Sequence, residues 1–123
     1  MKNNYNPAED SEYMSVAMTD HFTKLIHDQL EFAENFVADQ TKIALQSDNE
    51  ADPYDKADLE NRRRMAYTNR DRYLNVISEC NKSLVLIKNE EYGYCKCGEE
   101  IGVKRLEFNP SIKLCYDCAD LEA

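Results

Sequence analysis

Four of the five cysteines in this 123-residue chain lie near its end as two close pairs. Cys95-Lys96-Cys97 is followed, seventeen residues later, by Cys115-Tyr116-Asp117-Cys118. Four thiolates at about 2.3 Å suit tetrahedral Zn²⁺, and paired ligands on two turns supply them without a large core. The usual zinc-ribbon spacing is C-x₂-C, about 15–20 residues, C-x₂-C, so one residue is missing from the first pair here. Gly93, Gly98 and Gly102 flank the pattern and provide the tight turns it needs. The spacing predicts one structural zinc ion on Cys95, Cys97, Cys115 and Cys118. Because the C-x-C knuckle must turn more tightly, the ion is expected to be held less firmly than in a regular ribbon. A disulfide reading needs an oxidising compartment, whereas Met1-Lys2-Asn3-Asn4 runs into polar sequence and predicts no export. A thioredoxin-type pair needs a preceding βαβ pattern, which the sequence lacks.

Little else in the chain looks reactive. Cys80 falls between Ile77 and Leu84 on an apolar helical face and reads as packing. His21 and His27 are six apart, a poor spacing for one metal on a helix. There is no glycine-rich phosphate loop and no nucleophile elbow, and no enzyme is expected. The balance of 15 Lys plus Arg against 24 Asp plus Glu gives a net charge of −9 and a pI near 4.7. Such a balance argues against nucleic acid as the main partner, with Arg62-Arg63-Arg64 as the sole feature in its favour. The longest aliphatic run, Leu84-Val85-Leu86-Ile87, is far short of the roughly 20 residues of a membrane span.

The elements that must carry these residues are marked out by punctuation. Proline occurs at 7, 53 and 110 and glycine at 93, 98 and 102, leaving 8–52 and 54–92 free of both. In the first tract Phe22, Leu25, Ile26, Leu30, Ala33, Phe36, Val37 and Ala44 recur at three- and four-residue steps. In the second, Tyr73, Val76, Ile77, Cys80, Leu84 and Ile87 do so, and both patterns are helical. Ser11 is the expected N-cap of the first helix, and Asp52-Pro53 marks a stop and restart. At 1.5 Å per residue each helix would reach about 50 Å, and a short turn makes the pair antiparallel. The predicted fold is therefore mainly α. It has a disordered segment at 1–11, a long two-helix coiled-coil hairpin over 12–92 with its tip at about 48–57, and a small four-cysteine zinc finger with a short terminal helix over 93–123. Charge divides along it: residues 1–56 carry 4 basic and 12 acidic side chains, 57–90 carry 7 and 5, and 91–123 carry 4 and 7. A polar, arginine-rich stretch from Asn61 to Arg72 lies towards the turn. It reads either as a solvated face or as a probe inserted into a partner.

Several ordered stretches resemble the DksA/TraR family of bacterial transcription factors. They are Glu12-Tyr13-Met14, His21-Phe22, Asp52-Pro53-Tyr54-Asp55-Lys56-Ala57, Asn69-Arg70-Asp71-Arg72, Gly93-Tyr94-Cys95, Glu100-Ile101-Gly102, Arg105-Leu106-Glu107 and Leu114-Cys115-Tyr116-Asp117-Cys118. The resemblance implies a cytoplasmic, monomeric regulator that binds RNA polymerase directly rather than reading DNA sequence or a membrane. It also implies a finger region docked at the rim of the polymerase secondary channel and a hairpin entering it. The family's functional tip residues map onto Asp55 and Ala57, with Asp52 beside them. Arg72 matches an arginine used in polymerase contact, with Asn69 in the same stretch. The implied outcome is altered stability of promoter open complexes.

Against the family pattern, only about ten residues precede Glu12-Tyr13-Met14, and Ala123 comes soon after Cys118. The positions that supply basic side chains for ppGpp are here Glu79, Asn109 and Ala119. A polyanion needs cationic partners, so little ppGpp dependence is expected unless a group such as Lys82 or Arg105 compensates for Glu79. The alternative reading is an interaction module that senses redox state through zinc or its thiols.

Overall fold

The structure, a computed structural model, describes residues 5–46 and 53–122. Four α-helices account for most of it: α1 (Val16–Ala44), α2 (Pro53–Lys88), α3 (Val103–Phe108) and α4 (Tyr116–Glu122). Among the described residues there is no strand, only an isolated antiparallel bridge between Tyr94 and Glu100. No helix among them is long and apolar enough to cross a membrane.

The starts of the long helices follow from local chemistry. Helix α2 begins on Pro53, whose fixed φ and missing N–H suit a first helical position. Helix α1 begins at Val16, five residues after the cap expected at Ser11. Ser15 is the residue that caps it, its Oγ accepting from Met18 N at 3.1 Å. The reason lies in Asp10, whose carboxylate accepts from Ser15 Oγ (2.5 Å), Tyr5 OH (2.7 Å) and Glu12 N (3.0 Å). These bonds, led by that from Ser15, hold the Asp10 carboxyl below its ordinary pKa. Pro7–Glu9 form a 3₁₀ turn capped by Asn6. Residues 5–11 thus form an organised lead-in to α1; residues 1–4 of the segment expected to be disordered over 1–11 lie outside the described residues.

Helix α2 closes with a reciprocal pair of bonds, Glu91 N to Leu86 O (2.8 Å) and Glu90 N to Ile87 O (3.1 Å), with Glu90 at φ 61°. That is a Schellman closure with glutamate at the left-handed position, where glycine is commoner.

The chain forms two compact units. One holds the residues up to Gln29 and those from Glu79 onwards; the other is Leu30–Ser78. In the first, Met18, Phe22, Ile26, Cys80, Ser83 and Leu106 are fully buried. Tyr92 lies beside Phe22 (ring centroids 6.2 Å apart) and donates its hydroxyl to Pro110 O at 2.6 Å. Burial pushes that phenol's pKa up, so it remains a donor.

In the second unit the two helices are antiparallel, as their cross-contacts record. Phe36 meets Tyr73 at 4.4 Å, Asn69 Nδ2 donates to Gln40 Oε1 at 3.3 Å, and Arg63 donates to Gln46 O. Each advance along α1 retraces α2. The seam buries small side chains, Ala33, Ala44 and Ala66, together with Leu59. It is thin, and polar pairs supply much of its closure.

Candidate metal centre and arm

The cysteine cluster is assembled by two unlike pieces of backbone. The first is a small loop: Cys95 N donates to Glu99 O (2.8 Å), Gly98 N to Cys95 O (2.9 Å) and Ile101 N to Gly93 O (2.9 Å). Gly93 sits at φ +94°, and a Cβ there would meet Met14 Cε at 2.8 Å and the Tyr13 hydroxyl at 3.1 Å. Glycine is needed at this position both for its left-handed conformation and for the close approach of Met14. The second piece is the entry to α4, where Ala119 N bonds Cys115 O (3.0 Å) and Cys118 N reaches Cys115 Sγ at 3.5 Å.

All four sulfurs of Cys95, Cys97, Cys115 and Cys118 lie within 4.8 Å of one another. The Cys97 and Cys115 sulfurs are 3.7 Å apart. A tetrahedron with metal–sulfur bonds of about 2.3 Å has edges of about 3.8 Å, so the donor set fits zinc. The shortened C-x-C loop brings both of its sulfurs into the cluster. Backbone N–H groups of Cys97 and Cys115 pull the Cys95 thiol down to about 6. The other three sulfurs, Cys95 first, push Cys118 up to about 12. Four thiolates so close repel one another, and a dication is the natural counter-charge.

Tyr13 ties the lead-in to α1 onto this loop. Its hydroxyl donates to Gly93 O at 2.6 Å and accepts from Gly102 N at 3.1 Å, and its ring meets Tyr94 edge-on at 5.5 Å. In the sequence Tyr13 stands out only as part of the matching stretch Glu12-Tyr13-Met14. Its bond partners are backbone atoms at least eighty residues away, which leave no mark in side-chain patterning.

The positions matched to the ppGpp site have local partners. Glu79 Oε2 accepts from Lys113 Nζ at 2.7 Å, and Oε1 lies 3.5 Å from Lys82 Nζ. Lys113 also donates to Glu79 O and Ser111 O, both at 2.9 Å. The compensating cation for Glu79 is therefore mainly Lys113, a residue that sequence reasoning missed, with Lys82 more distant. Arg105 is turned elsewhere, to Leu114 O at 2.9 Å. Asn109 Oδ1 accepts from Gln29, Ser111 N and Ser111 Oγ. Of the histidines, His21 meets Glu107 at 2.8 Å, and His27 is exposed.

On the arm, Asp55 and Ala57 are exposed in the opening turns of α2. Asp52 lies outside the described residues, as does much of the turn expected at 48–57. Arg72 is exposed, whereas Asn69 is half-buried against Gln40.

Residues 90–122 match the family model described as the prokaryotic dksA/traR C4-type zinc finger. The RNA polymerase-binding transcription factor DksA of Salmonella typhimurium is 35% identical, the match covering 95% of this chain and 79% of that protein. The protein of the same name from Haemophilus influenzae is 36% identical over 95% of this chain and 82% of its own. The structure of transcription factor DksA2 from Pseudomonas aeruginosa superposes with a TM-score of 0.82, at 24% identity, covering 94% of this chain and 91% of that one. Fold and cysteine cluster define a helical protein built around a four-cysteine zinc finger. The chain belongs to the DksA/TraR family, and its cluster is the site of one structural zinc ion.

Proposed function

We propose that this chain is a non-enzymatic regulator of transcription that binds bacterial RNA polymerase directly. The observation that carries this reading is continuous similarity over 95% of the chain to proteins named for polymerase binding. In this reading the zinc finger is structural. It and the parts of α1 and α2 around it dock at the rim of the secondary channel, and the arm enters the channel.

The tip then does its work through Asp55, with Ala57 small enough for a narrow passage and Asp52 beside it. Asp55 engages basic groups or the polar network around the catalytic metal and alters open-complex stability. A change of about 1.4 kcal/mol shifts such an equilibrium tenfold, so one contact is enough. Arg72 and Asn69 contribute to polymerase contact from the arm. The protein acts in the cytoplasm as a monomer, without reading DNA sequence.

Dependence on ppGpp is slight. The support is Glu79, a carboxylate where a cation would serve, whose neighbours Lys113 and Lys82 already face it. A polyphosphate would have to displace Glu79 from Lys113 before using that amine.

The test is multi-round transcription from a ribosomal-RNA-type promoter with and without ppGpp, comparing wild type and Asp55→Asn, with polymerase binding measured alongside. Inhibition by wild type, little change with ppGpp, and loss of inhibition in a still-binding Asp55→Asn are expected. Equal inhibition by both proteins would remove the tip from the mechanism, and strong enhancement by ppGpp would overturn the Glu79 argument.

A further inference from the structure

Unit Leu30–Ser78 carries an aromatic cluster that reaches its surface. Phe32 and Phe36 lie one turn apart on α1 with ring centroids 6.2 Å apart and nearly parallel planes, 13° between them. Tyr73 of α2 meets Phe36 at 4.4 Å and Phe32 at 6.1 Å. Phe36 and Tyr73 are half-buried, but Phe32 is 60% exposed. One exposed aromatic residue needs no explanation; three contiguous rings at the edge of a thin seam make a patch.

On the α1 side the border of the patch is polar and anionic. Asn35 and Asp39, three and seven residues beyond Phe32, share its helical face, Glu31 precedes it, and all three are exposed. Helix α1 holds no Lys or Arg between Lys24 and Lys42. The nearby Arg70 is turned away, its Nε on Thr41 Oγ1 at 3.2 Å. A guanidinium satisfies such a surface best, since its flat face stacks on a phenyl ring while its N–H groups reach a carboxylate. Phosphate-rich partners are repelled by the same border.

The patch is also continuous with the contact assigned to the arm. The Phe36–Tyr73 rung is followed, one turn on along both helices, by the Gln40–Asn69 hydrogen bond. We propose that Phe32, Phe36 and Tyr73 form a docking surface for an arginine-bearing apolar patch of RNA polymerase, extending the contact made by Asn69 and Arg72. This rests on the polymerase-binding reading above.

The experiment measures affinity of the full-length, zinc-loaded chain for core RNA polymerase by fluorescence anisotropy. Phe32→Ser is expected to weaken binding about tenfold, the loss typical of an interface anchor, with an unchanged melting temperature because the ring is mostly exposed. Asp39→Asn, which removes no apolar contact, is expected to weaken binding by a smaller factor that shrinks as salt is raised. Wild-type affinity in both Phe32→Ser and Asp39→Asn overturns the docking surface alone. Absence of binding by the wild type overturns the functional reading and this proposal with it. Self-association of the wild type that Phe32→Ser abolishes, with polymerase affinity unchanged, would assign the face to a second copy and overturn the proposal.

Discussion

Replacing Tyr13 by Phe removes one oxygen atom and tests how the cysteine loop is held. The hydroxyl bridges Gly93 O and Gly102 N, the two ends of the loop that carries Cys95 and Cys97. Burial raises the pKa of this phenol, so the proton that it donates is retained. In the variant Gly93 O keeps the Ile101 N–H at 2.9 Å, so that carbonyl is not orphaned. Gly102 N does lose its partner. A lost net hydrogen bond is worth about 0.5–1.5 kcal/mol and an unpaired, partly buried donor about 1–3. Half-burial favours the lower part of that range, and the sum is about 2 kcal/mol. The ring and its edge contact with Tyr94 survive, so no cavity adds to the loss. For a chain of this size each kcal/mol moves the melting temperature by about 4 °C, giving a fall of about 8 °C. Thermal unfolding with saturating zinc, followed by far-UV circular dichroism, reads it. Zinc transfer to a chelator should also quicken, because the loop ends are freer to part. A melting temperature within about 2 °C of wild type, with unchanged transfer rate, would refute the bridge.

Gly93→Ala should destabilise more than Tyr13→Phe, because it combines a left-handed φ with a Cβ 2.8 Å from Met14 Cε; the midpoint of denaturant unfolding reads the difference. Removing zinc with a chelator should unfold the finger region and abolish polymerase binding. Adding one residue after Lys96, which restores regular ribbon spacing, should raise zinc affinity in chelator competition. The Lys113 hydrogen bond holds the Glu79 carboxyl below its ordinary value of 4.5. A carboxyl depressed in the folded state stabilises above its unfolded pKa and loses that contribution as pH falls through the folded value. Glu79→Gln should therefore lower the urea midpoint relative to wild type at neutral pH, and the gap should close as the pH falls below the carboxyl's lowered folded-state value.

How far the sequence could be read depended on the kind of interaction. Apolar periodicity placed both long helices because it is local and repeats with the helical turn, and Pro53 marked the start of α2. The thiol pairs placed the metal centre because its chemistry tolerates few residue types. Local bonds went unread where several polar residues compete. Asp10 recruits Ser15, so the cap moved from Ser11. Glu90 takes a left-handed position more often held by glycine because two backbone bonds of the helix end require it. Tyr13 and Lys113 were invisible because they act across 80 and 34 residues, partly on backbone atoms, where no spacing rule operates. The aromatic cluster was half-read: Phe36 and Tyr73 joined the apolar stripes, but Phe32 lies outside both, and its exposure appears only in three dimensions.

In the proposed function the start of α2 reaches the catalytic centre of RNA polymerase. A photoreactive amino acid placed at the exposed position Lys56, between Asp55 and Ala57, tests it most directly in the complex with polymerase. Crosslinks to the catalytic subunit at residues lining the secondary channel next to the active-site metal are expected. Crosslinks confined to the outer surface of a polymerase that still binds the protein would contradict it.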